Sequence, residues 1–273
     1  MSTATIAFVG AGNMANSIIG GLLSSGHPAE RIRAADPFPE SLERLATLGP
    51  ISLHTDNADA VEGADVVVLA VKPQVMAEAA SSIAEAVTRS QAVVVSIAAG
   101  ITIDSLEARL GAGTAIVRCM PNTPALLGCG ASALFANTHT SDQQRAHAAA
   151  LLDAVGITRW VPEEGALDAI TALSGSGPAY FFLFMEAMAD AGRSLGLDAD
   201  TATDMTLQTA LGAARMAIEG DVDLVELRRR VTSPGGTTEQ AVQNFEDNDL
   251  RGRVADAMRA AFDRSVEMAK DMG

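Results

Sequence analysis

Two stretches of this chain carry residue types whose spacing could do chemistry, and each sets glycines before an apolar helical pattern. Near the start, Ile6-Ala7-Phe8-Val9 runs into Gly10-Ala11-Gly12-Asn13-Met14-Ala15. In a strand, turn and helix unit, Gly10 permits the tight turn, Gly12 lets a pyrophosphate approach the backbone, and Ala15 lets helix and strand pack closely. The helix N-terminus then offers unpaired N–H groups and partial positive charge to an anion. A glycine-rich string alone is a weak signal and often only a turn. Here strand, turn and helix stand in the required order, which points to dinucleotide binding.

The second strand candidate ends at Ala34-Ala35-Asp36-Pro37. An Asp at that place accepts hydrogen bonds from both adenosine ribose hydroxyls and repels a 2′-phosphate, which favours NADH. The competing reading is a turn or helix-capping Asp before Pro37. Leu69-Ala70-Val71-Lys72-Pro73-Gln74 and Ser96-Ile97-Ala98-Ala99-Gly100 close two further strands, and ligands of open α/β sheets bind at such carboxyl ends. Lys72 is therefore expected to face the cofactor.

The second stretch is Ser233-Pro234-Gly235-Gly236-Thr237-Thr238, leading into Glu239-Gln240-Ala241-Val242. Its glycines let backbone N–H groups converge on an anion such as a carboxylate. Thr237 with Gln240 could instead form a capping box, and the two readings can coexist. No metal is called for. His27, His54, His139 and His147 are scattered without ligand spacing, and Cys119 and Cys129 read as free thiols in a reducing cytoplasm.

Positioning these stretches requires two architectures. Strand candidates at 5–9, 32–35, 65–71, 92–97, 115–119 and 131–135 alternate with helical patterns at 13–25, 38–48, 74–87 and 103–110, the pattern of a doubly wound, Rossmann-type parallel sheet. From about residue 142 the strand signal fades apart from 157–161. Helices are expected at 178–195, 200–219, 223–231, 237–246 and 250–271. The composition shift at Pro162-Glu163-Glu164-Gly165 sets the expected domains at 1–162, dinucleotide-binding, and 163–273, all-helical. Residues 178–219 are apolar on more than one helical face, so a second copy of the chain should help to bury them. A formal charge of −15 excludes binding to phosphate backbones, and no apolar run reaches membrane-spanning length.

Taken in order, Phe8-Val9-Gly10-Ala11-Gly12-Asn13-Met14, Ala70-Val71-Lys72-Pro73, Ser96-Ile97-Ala98-Ala99-Gly100, Arg118-Cys119-Met120-Pro121-Asn122-Thr123-Pro124, Leu173-Ser174-Gly175-Ser176-Gly177-Pro178-Ala179-Tyr180 and Val231-Thr232-Ser233-Pro234-Gly235-Gly236-Thr237-Thr238 resemble pyrroline-5-carboxylate reductases over nearly the whole chain. The resemblance implies reduction of a five-membered cyclic imine acid to L-proline with NADPH or NADH. It implies that Ala11, Asn13, Met14, Asp36, Asn57, Val71, Lys72 and Ala99 contact the dinucleotide, beside the Gly10, Gly12, Pro73 and Ala98 of the motifs. Ser233, Thr237 and Thr238 would hold the substrate together with Gly236 of the same loop, with Glu164 near the site, and Thr238 would serve the ring nitrogen. It further implies intertwined homodimers, often assembled into decamers. Two positions depart from the pattern: Asp36, where NADPH-preferring members carry a small hydroxyl or basic residue, and Arg230, where some members are neutral.

Two other readings compete. β-Hydroxyacid dehydrogenases share the layout, but they place a Lys four residues after the last glycine of the Gly175-Ser176-Gly177 segment, and here that position is Phe181. A non-catalytic dinucleotide sensor has no need of the preorganised loop at 233–238.

Overall fold

The computed structural model describes residues 4–272. The β-branched runs become β1 (Ile6–Val9), β2 (Ile32–Ala35), β3 (Ser52–His54), β4 (Val66–Leu69), β5 (Val93–Ser96), β6 (Ile116–Met120), β7 (Gly130–Ala136) and β8 (Gly156–Trp160). They form one sheet of order β3-β2-β1-β4-β5-β6-β7-β8, parallel except where β6 meets β7. Both faces are covered. Ile6 and Phe8 of β1 join Val66 and Val68 of β4 in one core, whereas Ala7 and Val9 join Val67 and Leu69 in the other. That alternation is the two-residue period of a strand buried on both sides.

Between the strands run α1 (Asn13–Ser24), α2 (Pro39–Ala46), α3 (Asn57–Val61), α4 (Met76–Ser90), α5 (Ile103–Leu110) and α6 (Asp142–Asp153). Because β1 lies between β2 and β4, the chain leaves it in opposite directions on either side, which opens a crevice at the carboxyl ends of the two central strands. Three of these elements are absent from the sequence expectations. β3 and α3 span only three and five residues, too few for a periodic signal. α6 did carry a start signal, Ser141 with Gln144, and the structure closes that pair as a capping box.

The polar stretch at 162–165 is followed by a segment that still packs with the sheet. Two compact units part between Ser176 and Gly177, and the described residues from Ala261 onward return to the first unit. The reason is burial. In α7 (Ala166–Ile170), Leu167 packs with Met120 and Ala133 beneath the sheet, and the chain continues through a π-helical turn, Thr171–Gly175. Ser265 donates to Asp168 Oδ1 at 2.6 Å, and Met268 lies against Gly100.

The second unit contains α8 (Gly177–Ser194), α9 (Ala199–Glu219), α10 (Leu224–Arg230), α11 (Thr237–Asp247) and the first part of α12 (Leu250–Met272). Asp198 and Asp223 cap α9 and α10 by accepting the N–H groups of Thr201 and Glu226. Gly192 lets α8 approach Ala202 of α9 closely.

An ion pair with a buried arginine and a half-buried carboxylate ties the first unit together. Arg118 on β6 donates to Glu164 Oε1 at 2.7 Å, and the same oxygen accepts the Ile103 N–H, 2.9 Å away at the start of α5. Arg118 is 6% exposed, so losing Glu164 strands a guanidinium away from water. Glu164→Ala should therefore lower unfolding stability by about 2–4 kcal/mol, read by chemical denaturation, a loss beyond that of an exposed pair.

Candidate active site

The dinucleotide turn forms where its residue types required. Gly10 has φ +100°, and a Cβ there would lie 2.7 Å from the Ala70 carbonyl oxygen at the end of β4. Only glycine fits. A Cβ on Gly12 would meet only Ala70 O, at 3.9 Å, an ordinary contact, and Gly12 is the N-cap of α1. No side chain caps that helix, which leaves its first N–H groups facing the crevice for an anion. The turn thus fits the pyrophosphate of a dinucleotide.

The turn is braced by charge. Asp36 Oδ2 accepts the Ala11 N–H at 2.8 Å, and Oδ1 accepts the Phe38 N–H at 2.9 Å. The carboxylate anticipated as a ribose reader is thus seen as a clamp of the loop, the turn reading left open for it. Asn13 is exposed and Met14 half-buried against the core below. Val71 touches the glycine turn, Lys72 is exposed in extended backbone, and Pro73 opens a short 3-10 turn. Ala98 is buried and Ala99 half-buried beyond β5. Asn57, at the first position of α3, donates to Ser82 Oγ at 3.0 Å.

The Ser233-to-Thr238 loop belongs to the helical unit. Gly235 has φ +74°, Gly236 donates its N–H to the Ser233 carbonyl at 3.0 Å, and Gly236 is the N-cap of α11. The alternative capping box of Thr237 with Gln240 does not form, because α11 has no side-chain cap. Instead Glu239 reaches back, its Oε2 accepting the Gly235 N–H at 2.7 Å. A carboxylate is thus already held by a backbone amide of this loop. Ser233, Thr237 and Thr238 are exposed, with Thr238 in the first turn of α11.

Arg230, which had no role in the sequence, is paired. Glu226 accepts from both Arg229 and Arg230, at 2.6 and 2.8 Å, and these bonds draw its carboxyl down to about 2. Three consecutive arginines before the loop are thus largely spoken for, since Arg228 meets Glu246 at 3.2 Å. Glu164 likewise lies with Arg118 and the start of α5. Cys119 and Cys129 are free thiols, and burial pushes Cys119 far above the ordinary thiol range. Among the described residues, no cluster of His, Cys, Asp and Glu is placed to hold a metal ion.

Comparison with known proteins gives two family matches along the chain. Residues 164–268 match a family profile described as pyrroline-5-carboxylate reductase dimerisation, and residues 5–100 match one described as NADP oxidoreductase, coenzyme F420-dependent. A pyrroline-5-carboxylate reductase of Pseudomonas aeruginosa is 55% identical over 273 residues, covering all of both chains. A solved pyrroline-5-carboxylate reductase from Coxiella burnetii superposes with a TM-score of 0.95 at 42% identity, over 98% of this chain and 99% of that one. A Plasmodium falciparum pyrroline carboxylate reductase with NADP bound gives 0.85 at 27% identity, over 98% and 99%. Likeness of this extent, carried through both the glycine turn and the helical unit, places the chain in the pyrroline-5-carboxylate reductase family.

Proposed function

We propose that the Ser233-to-Thr238 loop holds 1-pyrroline-5-carboxylate for reduction to L-proline, with Thr238 serving the ring nitrogen. The activity itself is that of the family: the chain is an NAD(P)H-dependent oxidoreductase acting on a C=N bond, the last step of proline biosynthesis. The observation that carries the loop assignment is the Gly235 N–H, already bound to a carboxylate, that of Glu239, at 2.7 Å. The first turn of α11 and the Ser233 and Thr237 hydroxyls add donors for the substrate's own carboxylate. Glu164, whose Oε1 clasps Arg118 and the start of α5, is assigned near the same substrate site.

When bound, the reduced nicotinamide supplies the hydride that the imine carbon receives. Thr238 holds the ring nitrogen through its hydroxyl, steadying the iminium form or relaying the proton that the product amine gains. An iminium is already electrophilic, so orientation rather than a strong acid should supply most of the rate. Val71, Lys72, Pro73, Ala98 and Ala99, at the carboxyl ends of β4 and β5, are assigned to the cofactor with Gly10 to Met14, Asp36 and Asn57.

The helical unit is the proposed dimerisation surface. Its exposed apolar side chains include Phe181 at 67% and Ile218 at 82%. Among its described residues, only Gly177, Ala202 and Thr206 are buried. Such a surface exceeds what a monomer leaves to water. Assembly of dimers into decamers, and work in the cytoplasm, belong to the same proposal. The two free thiols suit that compartment.

Two experiments test this reading. Thr238→Ala should lower kcat/KM by roughly ten- to a hundredfold through loss of one hydrogen bond to a charged group, with dinucleotide affinity unchanged. Ser233→Ala should raise KM more than it lowers kcat, since a carboxylate anchor serves ground and transition states alike. Full kcat/KM in folded Thr238→Ala would reduce that residue to part of the helix start. The second experiment concerns assembly. Phe184 packs on Phe245 within its own unit, so Phe181 is the cleaner probe. Phe181→Glu should weaken association by at least about a hundredfold. Sedimentation should then find the 28.1 kDa chain where the parent runs as a dimer or a decamer, and a stable, active parent monomer would contradict the proposal.

A further inference from the structure

Two opposite charges grip the same residue of the glycine turn. Asp36 holds the Ala11 N–H, and from the second turn of α2 Arg44 Nη2 donates to the Ala11 carbonyl at 2.8 Å. Arg44 Nη1 also donates to Asn13 Oδ1 at 3.0 Å. The guanidinium is exposed, and a guanidinium carries five N–H donors in a rigid fork. Two of them serve the turn, and the fork geometry that remains suits the oxygens of a phosphate.

Asp36 alone would repel a phosphate on the adenosine ribose. Arg44 places a permanent positive charge against Ala11 and Asn13, two of the turn residues that the dinucleotide is expected to meet. We propose that Arg44 is a specificity-determining residue: it receives the ribose phosphate of the phosphorylated dinucleotide, so that the chain binds this form in spite of Asp36. The inference rests on the reading of the glycine turn as the cofactor site. It assigns to α2 a part in recognition that neither the turn motif nor the end of β2 carries.

The test is equilibrium binding of NADP⁺ and NAD⁺ by titration calorimetry, without substrate, on the parent chain, Arg44→Leu, Arg44→Lys and Asp36→Asn. Arg44→Leu should raise the Kd for NADP⁺ roughly tenfold and leave that for NAD⁺ within about twofold. Arg44→Lys should keep part of the NADP⁺ affinity, as a point charge without the fork. Asp36→Asn should tighten NADP⁺ relative to NAD⁺. Added salt should weaken NADP⁺ more than NAD⁺ in the parent, and this difference should shrink in Arg44→Leu. Equal weakening of both dinucleotides in Arg44→Leu would make Arg44 a brace of the turn only, and an unchanged Kd for both would remove it from the site. A parent chain that binds neither dinucleotide would overturn the cofactor reading itself, a failure distinct from that of Arg44.

Discussion

A methyl group on residue 10 would lie 2.7 Å from the carbonyl oxygen of Ala70, and the cofactor half of the molecule is organised around that missing methyl. The contact brings the turn after β1 against the end of β4, the two strands from which the chain departs in opposite directions. Their closeness is what makes a crevice instead of a gap. Once β1 and β4 are joined along their length, from Ile6 beside Val66 to Val9 beside Leu69, α1 starts at the crevice with its N–H groups uncapped. Asp36 and Arg44 then fix the Ala11 peptide from both its ends. A helix end that would otherwise be a stability defect becomes an anion site.

The helical unit uses backbone amides in the same way, with a different occupant. At the start of α11 the Gly235 N–H holds the Glu239 carboxylate, so the turn of the loop is fixed by a group of its own chain. Glu226 gathers Arg229 and Arg230 just before the loop, which leaves those cations paired. Outside these polar contacts the unit is short of interior. Apolar side chains of α8 and α9 stay exposed within one chain, the surface proposed above for dimerisation.

Much of this was legible in the residues. The β-branched runs that became β1, β4 and β5, their alternation with helical patterns, and the Gly10-to-Ala15 turn pointed to the nucleotide-binding architecture, and the all-round apolar pattern of residues 178–219 pointed to helices in need of cover. The Ser-Pro-Gly-Gly-Thr-Thr segment marked a loop able to hold an anion. What stayed hidden depends on distance along the chain. The Glu164 bonds to Arg118 and to the start of α5 join positions 46 and 61 residues apart, and no local pattern reports them. The reach of Arg44 back to Ala11 is hidden for the same reason. The polar Pro162-to-Gly165 stretch marks a surface turn, and what its composition does not report is that Leu167 and Ala172 immediately after it are buried in the first unit. The Ser141 and Gln144 box, by contrast, was readable and marks the start of α6.

Everything in this fold converges on hydride transfer from a reduced nicotinamide to the imine carbon of 1-pyrroline-5-carboxylate. Cofactor deuterated at the transferring position of the dihydronicotinamide ring, with the product followed by mass spectrometry and NMR, tests that transfer. L-Proline should carry a single deuterium on the former imine carbon, formed in step with loss of reduced cofactor. Cofactor oxidation without labelled proline, or no turnover by the folded protein, would contradict it.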